Sequence, residues 1–103
     1  GAMTTTPITL ASIDSSTGSI TVNWDDDSGV GLKLATDEAY VVVMSMDNLS
    51  AQGFPACAIR EEELAEPVGS NFKQGETYWV YLAFRRTDGT VVNQSSAIAV
   101  VAS

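Results

Sequence analysis

Residues 77 to 86, TYWVYLAFRR, leave this chain less freedom than any other stretch. Tyr78, Val80, Leu82 and Phe84 alternate with Trp79, Tyr81, Ala83 and Arg85, a period of two that assigns the sets to opposite faces of a strand. Gly75 to Phe84 holds four of the eight aromatic residues, the chain having two Trp, three Tyr and three Phe. The first set is expected to face the core. The second has two readings: cross-strand packing against a neighbouring central strand, which favours aromatics, or a stacking platform for a sugar or peptide. Trp79, Tyr81 and Arg85 are therefore the candidate ligand or partner face.

Asp88-Gly89 follows directly and predicts a tight turn, so the stretch should be one arm of a hairpin whose other arm runs from about Val91 to Val101. Upstream, SITVNW directs Ile20, Val22 and Trp24 to one face, after a turn at SSTG in which Gly18 supplies a positive φ. ITLASID alternates Ile8, Leu10 and Ser12 against Thr9, Ala11 and Ile13, and reads as an edge strand. In EAYVVVMSM three consecutive Val predict a central strand. DNLSAQGFP reads as loop. A strand is expected around Ala56 to Arg60, then a short strand or one helical turn ended by Pro67. Together these runs predict an all-β, antiparallel sandwich of about seven strands, with Trp24, Tyr78 and Val80 buried together.

At 103 residues the length suits one domain. Gly1-Ala2-Met3 reads as the remnant of a removed tag, which leaves residues 4–103 as one Ig-like domain, expected to be excised from a larger protein. The net charge of −8 rests on thirteen acids against Lys33, Arg60, Lys73, Arg85 and Arg86. That balance argues against nucleic acid and anionic lipid as partners, and no apolar run is long enough for membrane insertion. A lone Cys57 allows no internal disulfide, and it reads as a small buried hydrophobe.

The chain has no His, which removes Ser-His-Asp and Cys-His chemistry and His-based metal sites. Asp25, Asp26 and Asp27, with Asp37 and Glu38, could offer oxygens to calcium. Consecutive Asp side chains diverge, however, and the alternating ligand spacing of a calcium loop is missing, so a solvated loop is expected and no metal or cofactor is assigned. The Glu61 to Glu63 run does not by itself make a glycosidase, because a lone sandwich of this size seldom carries a deep cleft. No catalytic residue is assigned, and the chain is expected not to be an enzyme.

The Trp of SITVNW, together with Gly75, Tyr78, Val80 and Leu82 in the pattern Gly-x-x-Tyr-x-Val-x-Val, resembles fibronectin type III and related immunoglobulin-like sandwiches over about residues 7 to 101. The resemblance implies a corner in which the Tyr78 hydroxyl bonds nearby backbone. Trp24 to Gly29, Thr36 to Ala39, Tyr81 to Phe84 and Asp88-Gly89 also resemble the C-terminal half of an uncharacterised family of Bacteroidota proteins, with NQSSAIAV in place of that family's Ser-Asn-Ser-x-Tyr ending. No activity comes with that resemblance. The expected function is a non-catalytic structural or protein-interaction module of a bacterial surface or phage-like assembly, with other protein domains or subunits as partners. The alternative is a carbohydrate-binding module whose glycan stacks on the aromatic strand face. An extracellular, cell-surface or virion location is favoured over the cytoplasm.

Overall fold

The computed structural model describes residues 2–103. Its strands are β1 (Ala2–Met3), β2 (Ile8–Ile13), β3 (Ile20–Trp24), β4 (Glu38–Ser45), β5 (Ala51–Ile59), β6 (Leu64–Ala65), β7 (Thr77–Arg85), β8 (Val92–Asn93) and β9 (Ser96–Val101), with one 3-10 turn at Arg60–Glu62. They form two sheets. The smaller has the order β2-β3-β6; the larger runs β1-β8-β7-β4-β5, with β9 also paired to β7. All pairings are antiparallel except β1 with β8. The all-β, two-sheet expectation holds. Among the described residues the strand count rises to nine because β1 and β8 are two-residue strands that carry no readable period.

The core lies between the sheets. Ile20, Val22 and Trp24 of β3 face Val41 and Val43 of β4 and Tyr78, Val80, Leu82 and Phe84 of β7, all buried. Trp24 meets Phe84 edge to face at 5.2 Å between ring centres, a favourable quadrupole arrangement. Tyr78 makes the expected corner: its hydroxyl accepts from the Lys73 N–H at 2.9 Å and donates to Glu76. A buried phenol is thereby satisfied.

Several boundaries differ from the sequence reading, each for a local reason. Residues 51–55 belong to β5 and not to a loop. β5 is the edge of its sheet, where Pro55 costs no ladder bond, and a register shift opposite Ala39 and Val41 absorbs the bend, with Ala56 at φ +48°. Both options for the stretch after Ile59 form in succession: a helical turn at Arg60–Glu62, where the Glu62 carboxylate accepts the Ile59 N–H, and then the short strand β6. In β2 a bulge between Ile8 and Leu10 changes the phase, so Ile8 and Ala11 pack on the core while Leu10 faces out.

The final arm is broken between Asn93 and Ser96. The Asn93 Oδ1 accepts the Phe84 N–H at 2.6 Å in place of a backbone carbonyl, and the Ser96 hydroxyl donates to Thr6 O. Both side chains tie down the N-terminal segment, in which Met3 is buried. Setting Gly1-Ala2-Met3 aside as a tag remnant thus leaves out a strand of this fold, whatever the triplet's origin.

The two predicted turns form. Arg86 donates its N–H to Val91 O around Asp88-Gly89, and Asp88 Oδ1 accepts the Thr90 N–H. Gly18 has φ +76°, and a Cβ there would sit 2.1 Å from the Gly69 carbonyl oxygen. Left-handed strain and overpacking therefore act together, and Gly18→Ala should cost about 2–4 kcal/mol. Gly29 has φ +87° but open space around it, so Gly29→Ala should cost only about 1–2 kcal/mol. Urea unfolding of both variants checks this; equal costs would contradict it.

Candidate functional site

The outer face of the larger sheet is where the sequence-predicted partner residues fall. Trp79, Tyr81 and Arg85 occupy alternate positions of β7 and all point away from the core, the two rings half-buried and Arg85 exposed. Register supplies their neighbours. Trp79 lies between Met44 and Ala99, Tyr81 between Val42 and Ala97, and Ala83 opposite Tyr40, while Glu38 stands across from Arg85. Val42 is 38 % exposed and Val101 63 % exposed. Cross-strand packing shields the sides of the rings, and among the described residues no layer lies over them. The alanines of β9 were not singled out in the sequence; only the register shows that small side chains border the aromatic row.

A second constellation was missed altogether. Arg60 is fully buried, and each of its guanidinium nitrogens is engaged. Nε donates to Leu34 O and Asp37 Oδ2, Nη1 to Thr6 Oγ1 and Asp27 Oδ1, and Nη2 to Asp37 Oδ2 and the Met3 sulfur. Its Cζ lies over the Phe84 ring, 4.1 Å from the ring centre, a cation–π contact. Lys33, also buried, adds an ion pair to Asp27 and a bond to Thr5 O. Trp24 closes the group by donating its indole N–H to Arg60 O at 2.8 Å.

This corrects the expectation of a solvated acidic loop. Asp25 and Asp26 are exposed, but Asp37 is fully buried and Asp27 is held by two cations. With their charges taken up by Arg60 and Lys33, these two carboxylates are internal counterions. A partial signal was present: Arg60 ends the apolar run ACAIR, and Lys33 sits between two leucines. Nothing in those spacings identified the acids that answer them. Cys57 is half-buried, its thiol directed at Ala39 O and its pKa raised chiefly by burial.

At the other end of the sheet a groove of about 210 Å³ is lined by Ser45, Gln52, Ser70, Lys73, Glu76 and Tyr78, among others. Its main polar groups are spent on one another. Ser45 and Tyr78 both donate to Glu76 and hold that carboxyl below the usual carboxylate range, and Gln52 pairs twice with Ser70. This wiring satisfies a corner of the fold and leaves few groups for a ligand.

Burial opposes charge on Asp27, but hydrogen bonds from Lys33 and Thr6 and the charge and hydrogen bond of Arg60 outweigh it, so its pKa is lowered. A depressed carboxyl contributes stability that is present above its unfolded value, about 3.9, and is lost as pH falls through the folded value. Asp14, Glu76 and Asp88 are lowered as well and act in the same direction. Unfolding free energy should thus decline below about pH 4. Asp27→Asn should be less stable at neutral pH and decline less steeply in acid, measured by denaturant titration at several pH values. Equal acid slopes in the two proteins would contradict this account of Asp27.

Comparison with curated proteins finds no match. Comparison with protein families does: the pattern of a family of unknown function (DUF6266) fits residues 1–99, which take in the Arg60 cluster and nearly all of the open sheet face. The chain belongs to that family.

Proposed function

We propose that this chain is a non-catalytic interaction module that docks another protein domain or subunit through the outer face of its larger sheet. The observation that carries this reading is the open apolar row itself. Trp79, Tyr81, Val42, Met44, Ala97, Ala99 and Val101 share a face over which, among the described residues, no further layer packs. Continuous exposed apolar surface of this kind marks association sites. Trp, Tyr and Arg, which supply most binding hot spots, sit along its central strand. Rings on a paired strand are rigid, so little entropy is lost when they dock.

A fibronectin type III or immunoglobulin-like relationship is the finer form of the fold reading. It draws support from the β2-β3-β6 sheet set against a larger one and from the corner made by Tyr78. Sandwiches of that type serve many cell-surface proteins, which is the ground for favouring a bacterial surface or phage-like assembly.

The carbohydrate-binding alternative has one observation in its favour: Ala97 and Ala99 leave one side of each ring low-walled, as a stacking platform needs. With Trp24→Phe removing the other emitter, acrylamide should quench Trp79. A peptide-display selection, with Trp79→Ser/Tyr81→Ser as counter-selection, should return apolar ligands, and a glycan array should stay blank. Glycans retained only by the wild type would replace the protein-docking reading with the carbohydrate one. A Trp79 inaccessible to quencher would contradict both.

A further inference from the structure

The loop between β3 and β4 is folded inside out. Lys33 is buried, while Val30, Leu32 and Leu34 are 58, 45 and 44 % exposed. A solvated loop would place its lysine in water and its leucines inside. The inversion follows from the buried cluster: Lys33 turns inward to reach Asp27 and Thr5 O, and Leu32 and Leu34 on either side of it are left outside.

The apolar tip is also held still. Gly29 and Lys33 bond across the turn, the Leu34 N–H is accepted by Asp37, Leu34 O takes the Arg60 guanidinium, and Leu32 O takes Arg86. A group fixed before contact loses little entropy on binding.

From this geometry we infer a second docking site, in which Val30, Leu32 and Leu34 insert as a wedge into an apolar cleft with a basic rim on a partner protein. The choice of partner rests on charge. Asp25 and Asp26 open the loop, and Glu61, Glu62 and Glu63 are brought beside it by the bonds from Glu61 N–H to Ala35 O and from Asp26 N–H to Glu63 Oε2. All five are exposed, and among the described residues none has an ion-pair partner. Arg86 is tied to the loop through its Nη2, which donates to Leu32 O.

A second copy of the chain does not fit this wedge. Of thirteen acids and five cations, two of each are taken up in the buried cluster, which leaves eleven acids against three cations to face a partner. An anionic membrane is repelled for the same reason. The site lies at the loop end of the sandwich, apart from the Trp79 face, so it stands independently of the function proposed above and would make the module bivalent.

The probe is a fluorescein-labelled amphipathic helical peptide of Leu and Lys, compared with its Leu and Glu counterpart by fluorescence anisotropy. Wild type should bind the Leu-Lys peptide and not the Leu-Glu one. Leu32→Ser/Leu34→Ser, which alters only exposed side chains, should weaken binding by at least about tenfold. Replacing Glu61, Glu62 and Glu63 by Gln should reduce the preference for the basic peptide, and Trp79→Ser should leave binding unchanged. The inference is overturned if wild type binds neither peptide or both equally, or if Trp79→Ser abolishes binding while the loop variant does not. Self-association, or uptake on zwitterionic phosphatidylcholine vesicles, that the loop substitutions abolish would overturn it as well.

Discussion

A guanidinium with no access to water must find a partner for each of its N–H groups within the protein, and most of this structure's loop end is arranged around that requirement. Arg60 draws its acceptors from three places: Met3 and Thr6 in the N-terminal segment, Asp27 and Leu34 in the β3–β4 loop, and Asp37 at the entrance to β4. Phe84 of β7 supplies the flat surface beneath it. A buried ion pair is weak evidence for stability, because desolvation offsets much of the attraction. Its effect here is geometric. An apolar side chain of the same volume would accept many packings, whereas a fork of fixed donors accepts one.

From that fixed geometry the two exposed surfaces follow. The loop presents leucines because its lysine is committed to the interior, and its tip is rigid because its carbonyls are bound to Arg60 and Arg86. The sheet face is flat and apolar for a different reason: β4 lies between β5 and β7, and β7 is paired along both edges, so each strand alternates one buried residue with one outward residue. The interaction role proposed above rests on these two apolar surfaces of an otherwise acidic domain. The family assignment is consistent with any such role, since it carries no activity of its own.

How much of this the sequence disclosed depended on the length and regularity of each element. β3 and β7 were legible residue by residue, because five and nine residues of clean alternation admit one inward face. The hairpin turn was legible from Asp88-Gly89, while the corner at Tyr78 was implied by the resemblance to immunoglobulin-like sandwiches. β5 was half hidden, since Gly53 and Pro55 carry the marks of a loop and only its edge position tolerates them. β1 and β8 have two residues each, too few for any period. The outward set Trp79, Tyr81 and Arg85 was legible as a face, but its apolar extent depended on the register with β4 and β9. The ion cluster was the least legible, because pairing Arg60 with Asp27 spans 33 positions and no local pattern encodes so distant a partner.

If Arg60 is the joint on which the loop end depends, its guanidinium should open only when the whole domain opens. Native-state hydrogen exchange measures this directly, read at the Arg60 Nε–H, the Trp24 indole N–H and the Leu34 amide, with the Val80 amide as the reference for the core. The account predicts that the Arg60 and Trp24 protons, and the Leu34 amide held by Asp37, share the opening free energy of Val80. Exchange of the Arg60 Nε–H and Leu34 amide at rates near those of an unstructured chain, with Val80 still protected, would contradict it and reduce the cluster to an ornament on a sheet that stands without it.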